Sequence, residues 1–278
     1  MGETTIRDLG VPEPKRTAAT NGEARPWLER ACILVPALDA ERTIADVIAD
    51  VTRAIPERAD AIFVIDDGSS DATARIAEEM GCAVVASSGA SIPRGEREPR
   101  RANRGKGAAL RAGLEAARAR GMSVALTIDA DGQHPADEAR RVLFAPDAGE
   151  AALVLGVRDL VRDGAPRANR FSNGISNHFL STFARRPLRD TQCGLRRYPI
   201  RETLALRTTG QGYDFEAEVL LRAIWAGLDV VEEPVRVLYP EDRTTHFRVG
   251  RDVTRIIKTV LATVGERWLL PHRGREEA

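Results

Sequence analysis

Two carboxylates and an amide oxygen follow an apolar segment at spacings that could form one ligand set. Asp129, Asp131 and Gln133 come directly after Val124–Ile128, and Gly132 allows the chain to turn between them. In an extended strand, the side chains of Asp129 and Asp131 would point to the same face. Oxygen ligands of this type suit Mg²⁺ or Mn²⁺, and Mg²⁺ usually combines one or two carboxylates with the phosphates of a substrate. We therefore predict a site for a divalent cation whose remaining ligands come from a diphosphate.

The same residues have a purely structural alternative. Asp131 or His134 could accept hydrogen bonds from the first amides of a helix that begins near Ala136. A D-x-D pattern by itself favours this alternative, and the decision therefore depends on other segments of the chain.

The composition is that of a folded enzyme rather than a nucleic-acid-binding protein. The 278 residues are 43% hydrophobic, which is enough for one large α/β domain or two small ones. The 41 basic residues balance the 41 acidic ones, so no basic excess points to nucleic acid. Cys32, Cys82 and Cys193 lie far apart and indicate neither a disulfide framework nor a zinc site. We find no signal-peptide core and no membrane-spanning run, and expect a cytoplasmic protein.

Apolar runs and segments of helical period alternate from residue 31 onwards and predict an α/β fold. The predicted strands are Cys32–Pro36, Ala61–Ile65, Ala83–Ala86, Val124–Ile128 and Ala151–Val157. The predicted helices lie around residues 44–51, 72–80, 105–120 and 215–226, with a further one beginning near residue 136. This alternation implies a mostly parallel sheet with helices on both faces, which binds its ligands beyond the carboxyl ends of the strands.

Six motifs in a fixed order resemble those of a known family. They are Val35–Glu41, Ile65–Asp71, Asn103–Gly107, Asp129–Pro135, Asp190–Gly194 and Gly212–Glu216. Together they resemble family 2 glycosyltransferases of the Rossmann-like GT-A fold, most closely the dolichyl/polyprenyl-phosphate mannosyltransferase-like branch. The resemblance implies a metal-dependent, inverting transferase that moves a hexose from a GDP- or UDP-linked sugar. Its acceptor would be a polyprenyl phosphate or another lipid-linked molecule.

The resemblance also implies donor-side roles for single residues. The donor-binding residues would be Pro36, Ala37, Asp39, Glu41, Asp67, Lys106 and Asp129. Among them, Glu41 would hold the ribose, and Asp67 would accept a hydrogen bond from the ring NH of uracil or guanine. Lys106 would support the diphosphate. The alternatives are a plain turn after Asp67 with Ser70 or Asp71 capping the next helix, and a flexible helix start at 103–107.

At the reacting centre, the resemblance implies a metal held by Asp129, Asp131 and Gln133. A phosphate acceptor is already ionised and needs no general base, whereas a hydroxyl acceptor would need one. Asp214 or Glu216 could then serve, although Asp214 could instead cap the helix that follows it.

The acceptor phosphate would be bound by cations in the second half of the chain. The resemblance points to Arg158, Arg170, Arg243, His246 and Arg248. Guanidinium groups match phosphate in a bidentate geometry, and ordinary surface charge is the alternative. We expect Asp190 to orient this pocket, and Gln192 and Cys193 to serve in packing or as polar lining rather than as nucleophiles.

The chain divides into one domain and two tails. We expect a disordered tail over residues 1–30, a GT-A domain over 31–265, and a tail over 271–278. Within the domain, residues 31–150 would bind the nucleotide sugar and 151–248 the acceptor. Residues 249–270 form an amphipathic helix with a basic side, which could lie on the inner face of a membrane or pack against its own domain.

Two other functions use similar features. A sugar-1-phosphate nucleotidyltransferase would need a glycine-rich loop after the first strand, and Val35–Thr43 has no glycine. A catalytically silent sensor of sugar nucleotides is the second, and the intact set of Asp129, Asp131 and Gln133 argues against it.

Overall fold

The computed structural model describes residues 25–89, 103–239 and 249–269. Within these ranges the strands are β1 Ala31–Ala37, β2 Ile62–Asp66, β3 Ala83–Ala86, β4 Val124–Thr127, β5 Leu153–Arg158, β6 Arg196–Pro199 and β7 Val230–Val235. The α-helices are α1 Ile44–Ala54, α2 Thr73–Glu79, α3 Lys106–Ala119, α4 Ala136–Leu143, α5 Arg167–Ala184, α6 Ile200–Ala205, α7 Asp214–Trp225 and α8 Val249–Leu269.

The strands form one sheet in the order β3-β2-β1-β4-β6-β5-β7. β6 runs antiparallel to both of its neighbours, and every other described pairing is parallel. The mostly parallel sheet predicted from the sequence is therefore confirmed. Because β1, β2 and β4 share one direction, the acidic segments that follow them lie at the same edge of the sheet.

The sheet is covered on both faces, which explains its near-continuous apolar strands. Successive residues of β1 point to opposite sides: Ile33 and Val35 belong to the core beneath α1 and α4, whereas Leu34 belongs to the core beneath α3 and α7. All three side chains are fully buried. Each such burial stabilises the fold by about 1.5–3 kcal/mol.

The second half of the chain contains elements that the sequence patterns did not predict. The polar helix α5, the strand β6 and the edge strand β7 all belong to this group. β6 carries two arginines, both fully buried, and β7 carries two glutamates and a proline. Apolar periodicity cannot reveal strands whose side chains are charged, because their burial depends on partners distant in the sequence.

One prediction about the ends of the chain is corrected, and a choice between two alternatives is narrowed. Residues 26–30 form a 3₁₀ helix rather than part of a disordered tail, because Trp27 is buried and packs in the core. Of the two alternatives for the C-terminal amphipathic helix, packing against its own domain is supported: α8 packs against α5 and α7 with Ile256 and Val260 buried, whereas Leu261 and Trp268 stay exposed. In the described part of the chain, no helix has the length and apolar character needed to cross a bilayer.

Candidate active site

Side chains from several distant segments line one cavity beyond the carboxyl end of β4. Six predicted site residues are among them: Lys106, Asp129, Asp131, Gln133, Arg158 and Glu216. They come from the start of α3, the segment after β4, the end of β5 and the first turn of α7. The fold therefore brings predicted donor-side, metal and acceptor-side residues into a common space.

Lys106 joins two carboxylates at the base of this cavity. Its Nζ lies 2.7 Å from Asp129 Oδ1 and 3.4 Å from Glu216 Oε1. Burial alone would lower the pKa of Lys106, but the negative charges of Asp129 and Glu216 outweigh it and raise that pKa. Burial likewise favours a raised pKa for Asp129, and the charge of Lys106 outweighs it and lowers that pKa. Both groups of the ion pair are therefore charged.

Gly194 allows this ion pair to lie against the segment that precedes β6. A Cβ atom at residue 194 would lie 2.6 Å from Lys106 Nζ and would overlap the Asp129 carboxylate. Any side chain at this last residue of the Asp190–Gly194 motif would therefore force the Asp129 carboxylate and the Lys106 ammonium to shift.

Asp131 and Gln133 face each other within the turn after β4. The Gln133 amide N–H donates to Asp131 Oδ1 at 3.0 Å, and Gln133 Nε2 donates to Asp131 Oδ2 at 2.7 Å. The helix α4 begins after Pro135 without a side-chain cap, so the capping alternative for Asp131 and His134 is wrong. Burial, followed by the nearby charge of Asp129, raises the pKa of Asp131 to about 6.

These oxygen donors fit a hard divalent cation that takes further ligands from a substrate. A cation beside Asp131 would offset the unfavourable burial of two neighbouring carboxylates, Asp129 and Asp131. Among the described residues, no group of three or more His, Cys, Asp or Glu side chains could hold a metal by itself. At a metal site here, these residues would therefore supply only part of a coordination shell, as Mg²⁺ sites on diphosphates usually do.

Arg158, which lines the cavity at the end of β5, is held in place by Asp190. Its Nε and Nη2 donate to the two carboxylate oxygens of Asp190 at 2.7 and 3.0 Å, and its backbone N–H donates to the same carboxylate. Asp190 is buried, and the charge of Arg158 lowers its pKa despite the opposing effect of burial. Asp190 therefore fixes the position of Arg158, and its role in orienting an acceptor pocket stays a prediction.

Comparison with known proteins decides the family. The model of the family described as "Glycosyl transferase family 2" matches residues 32–199, from β1 to β6. The chain belongs to glycosyl transferase family 2. Relatives of this family 2 glycosyltransferase include polyprenol monophosphomannose synthase of Mycolicibacterium smegmatis, which is 31% identical over 82% of this chain and 84% of its own. A dolichyl-phosphate hexose transferase of Haloferax volcanii is 30% identical over 73% of this chain and 80% of its own.

Solved structures confirm the GT-A fold of this family 2 glycosyltransferase. Glucosyl-3-phosphoglycerate synthase from Mycobacterium tuberculosis, crystallised with Mn²⁺, uridine diphosphate and phosphoglyceric acid, aligns with a TM-score of 0.64. The alignment covers 91% of this chain and 85% of that structure, at 23% sequence identity. At this level of identity, the similarity establishes the fold alone.

The predicted base and ribose residues of the glycosyltransferase lie at the ends of β1 and β2, outside the described cavity. Asp39 accepts the Ser70 amide N–H at 2.7 Å, and Glu41 accepts the Ala72 amide N–H at 3.0 Å. These contacts join the loop after β1 to the loop after β2. Pro36 and Ala37 precede them in β1. Their donor-binding roles remain predictions.

Asp67 has a structural role in addition to its predicted one. It is 4% exposed, and its two carboxylate oxygens accept the amide N–H groups of Arg104 and Gly105 at 2.9 and 2.8 Å. It thereby fixes the start of α3, and with it Lys106. A hydrogen bond to a nucleotide base would have to use lone pairs that these amides leave free.

The helix α2 begins beside Asp71, which was one of the two residues predicted as its cap. The Asp71 carboxylate accepts a hydrogen bond from the Thr73 backbone N–H, the first amide of α2.

The two candidate bases, Asp214 and Glu216, have different surroundings. Asp214 is buried, accepts the Gly212 amide and the Thr259 hydroxyl, and forms an ion pair with Arg255 at 3.0 Å. It therefore joins α7 to α8, and neither caps α7 nor lines the cavity. A catalytic role for Asp214 does not fit these contacts, whereas Glu216 lies in the cavity wall.

The remaining acceptor-side predictions have mixed outcomes. Arg170 is half-buried on α5 and is not among the residues that line the cavity, although its neighbour Asn169 is. Arg243, His246 and Arg248 lie outside the described residues. Cys193 is buried, and burial raises the pKa of its thiol to about 12, which agrees with packing rather than nucleophilic chemistry.

Some buried polar atoms of residues in the cavity wall have no hydrogen-bond partner among the described residues. They include His134 Nδ1, Gln192 Nε2 and Glu216 Oε1, although the last lies 3.4 Å from Lys106 Nζ in an ion pair. Burial lowers the pKa of His134 to about 4, so its ring is neutral near pH 7. Buried polar groups without partners are uncommon in native proteins, and these belong to residues that line the cavity. The sequence predicts His134 only as a possible helix cap, although its position within the Asp129–Pro135 motif is a signal that it belongs to the site.

Proposed function

We propose that this glycosyltransferase is a metal-dependent, inverting hexosyltransferase that uses a GDP- or UDP-linked sugar and a polyprenyl phosphate acceptor. One observation carries the proposal: the oxygen donors Asp129, Asp131 and Gln133 share a cavity with the fixed guanidinium of Arg158. A cavity that combines a cation site with an arginine suits two phosphorylated substrates.

The names of relatives support a lipid phosphate as the acceptor. The relatives named above are a polyprenol monophosphomannose synthase and a dolichyl-phosphate hexose transferase. Others are named as dolichyl-phosphate transferases of glucose and of N-acetylglucosamine. Because these names cover several sugars, they favour an acceptor class more strongly than a particular donor.

In this proposal, Asp129, Asp131 and Gln133 would hold the metal. A bound divalent cation would offset the negative charge that builds on the departing nucleoside diphosphate. Lys106 keeps its proton, because its pKa is raised, and holds Asp129 in place through their ion pair. Arg158 binds the acceptor phosphate with the guanidinium donors that Asp190 does not occupy.

The protein residues favour a single displacement. The buried thiol of Cys193 stays protonated, and we find no activated nucleophile among the described residues that line the cavity. One in-line attack inverts the anomeric carbon. An ionised phosphate acceptor loses no proton in this step, so no general base is required.

A hydroxyl acceptor is the second candidate, and Glu216 favours it. This carboxylate lies in the cavity wall with Oε1 unpartnered by a hydrogen bond, where it could accept a proton from an attacking hydroxyl. Its proximity to Lys106 also gives it a purely structural use, which is why we place this candidate second.

The test measures release of nucleoside diphosphate from a panel of UDP- and GDP-sugars with Mn²⁺ or Mg²⁺. Each donor is assayed with polyprenyl phosphate, with a soluble alcohol acceptor and with no acceptor, and again after addition of EDTA. Turnover that requires both polyprenyl phosphate and metal would support the proposal. Turnover only with the alcohol would favour the Glu216 alternative, and binding of donor without any turnover would favour a sensor.

A further inference from the structure

Behind the cavity wall lies a fully buried arginine that no sequence motif identified. Arg196, the first residue of β6, is 0% exposed. Its Nε donates to the carbonyl oxygen of Cys193, its Nη1 to that of Glu216, and its Nη2 to that of Thr191, each at 2.8 Å. Among the described residues, its hydrogen-bond acceptors are backbone carbonyls rather than carboxylates.

These three carbonyls belong to the two segments that complete the cavity. Thr191 and Cys193 flank Gln192, whose side chain lines the cavity, and Gly194 follows, against which the Lys106–Asp129 pair packs. Glu216 lies across the cavity in α7. A single planar guanidinium therefore fixes the 191–194 segment and the first turn of α7 relative to each other.

The contacts of Thr127 reinforce this arrangement. The Thr127 hydroxyl, at the end of β4, donates to the Gly194 carbonyl at 2.8 Å. The 191–194 segment is thus held by Arg196 on one side and by β4, which leads into Asp129, on the other. An apolar side chain in place of Arg196 could fill the volume but could not bond three carbonyls at once.

The neighbouring residue provides a natural comparison. Arg197 is also fully buried, but adjacent strand residues point to opposite faces of a sheet. Its guanidinium donates to the carbonyls of Leu143 and Gly149 and lies 5.0 Å from the centre of the Trp27 ring. None of these three partners lines the cavity. Two equally buried arginines of the same strand therefore contact different parts of the fold: Arg196 contacts segments of the cavity wall, and Arg197 contacts residues outside it.

We propose that Arg196 is a positioning residue for sugar transfer: its guanidinium sets the placement of Gln192, Gly194 and Glu216 around the Lys106–Asp129 pair. The effect on catalysis rests on the proposed function, whereas the effect on the two backbone segments does not. Misplacement by about 1 Å can cost an enzyme roughly 100-fold in rate, so a buried residue that touches no substrate can still control turnover.

The experiment compares Arg196→Met and Arg196→Lys with Arg197→Met and Arg197→Lys in the full chain. Hydrogen exchange of backbone amides is followed by mass spectrometry. Transfer kinetics are measured at saturating donor and acceptor, and kcat is calculated per folded protein. We expect Arg196→Met to speed exchange in 191–194 and 214–217 and to lower kcat by roughly 100-fold. Arg197→Met should speed exchange near 143–149 and leave kcat close to that of the original enzyme.

Arg196→Lys tests the role of the guanidinium separately from charge. Its ammonium can bond fewer of the three carbonyls, so exchange and kcat should fall between those of the original chain and Arg196→Met. If Arg196→Met does not fold, the Arg196→Lys variant alone tests the positioning role of the guanidinium. Equal kcat losses in the Arg196 and Arg197 variants, or exchange that increases uniformly, would overturn the proposal.

The two proposals fail in distinguishable ways. If the unaltered protein transfers no sugar, the proposed function fails, and the exchange pattern together with calorimetric binding of Mn²⁺ and nucleoside diphosphate still tests the positioning role. Unchanged exchange in 191–194 and unchanged binding in Arg196→Lys would then reject it.

Discussion

The Nζ of Lys106 lies 2.7 Å from Oδ1 of Asp129, and this ion pair joins the first residue of α3 to the segment that follows β4. The two residues are separated by a complete helix and a strand, so only the folded sheet brings them together. Their mutual attraction keeps both groups charged in a largely buried place.

Replacement of this lysine should move the pH dependence of turnover. In Lys106→Met, the cation that lowers the pKa of Asp129 is gone, and burial raises that pKa. Since the proposed metal site needs ionised Asp129, the acid limb of the pH profile of kcat/KM should move to higher pH. Lys258→Met, on the exposed side of α8, is the matched control. Coincident acid limbs for Lys106→Met and the original enzyme would contradict the assignment.

Asp131 should make the metal-free protein less stable at neutral pH. Its pKa is about 6 in the folded protein, above its ordinary value, so the folded state binds this proton more tightly than the unfolded state. The resulting stabilisation is present at low pH and is lost as the pH rises through about 6. Asp131→Asn should therefore raise Tm at pH 8 more than at pH 5, while metal-dependent turnover is lost.

Thermal unfolding in EDTA at the two pH values measures this difference. The exposed Asp46→Asn is the control, and we expect it to show no such pH-dependent gain. Addition of Mn²⁺ should stabilise the original protein but not Asp131→Asn. A full metal response in Asp131→Asn would remove this residue from the metal site.

Removal of one partner of the Arg158–Asp190 pair should be strongly destabilising, because Asp190 is buried and the remaining charge would have no partner. Asp190→Asn leaves the guanidinium without its counter-charge, and we expect a loss of about 3–5 kcal/mol in the free energy of unfolding. The adjacent pair of Arg189 and Glu232 is matched in geometry, with a distance of 2.7 Å, but Arg189 is 52% exposed. Glu232→Gln should cost about 1 kcal/mol or less.

Urea unfolding of these single variants and of the double variant Arg158→Met/Asp190→Asn gives the coupling energy of the pair. The double variant should lose less than the sum of the single variants, because no unpaired charge remains. Additive losses would mean that the contact seen between Arg158 and Asp190 contributes little in solution.

Gly194→Ala should impair catalysis more than folding. The added methyl group would overlap the Asp129 carboxylate and approach Lys106 Nζ to 2.6 Å, so the ion pair must shift. We expect kcat to fall by roughly 100-fold. Gly174→Ala, on α5, meets no atom within 4 Å and should be neutral to turnover and slightly stabilising. Steady-state kinetics and Tm values for both variants check this, and retention of full activity in Gly194→Ala would refute the steric argument.

The sequence by itself determined the first half of the fold and the chemical type of the site. Strands such as β1 and β4 are buried on both faces, so their own apolar residues identify them without knowledge of their neighbours. The Asp129–Pro135 motif predicted a partial shell of oxygen ligands because these residues are close along the chain. Local patterns carry this information because backbone geometry fixes where near neighbours point.

The tertiary structure decided everything that depends on partners distant in the sequence. β6 runs antiparallel to its neighbours, and its side chains Arg196 and Arg197 are buried. Asp214 lies in the contact between α7 and α8, whereas Glu216 lines the cavity. An acidic or basic residue has the same local signature whether it faces solvent, a substrate or a buried counter-charge. Only packing brings the compensating carbonyl or opposite charge within hydrogen-bonding distance, and the stability of a buried charge depends on that partner.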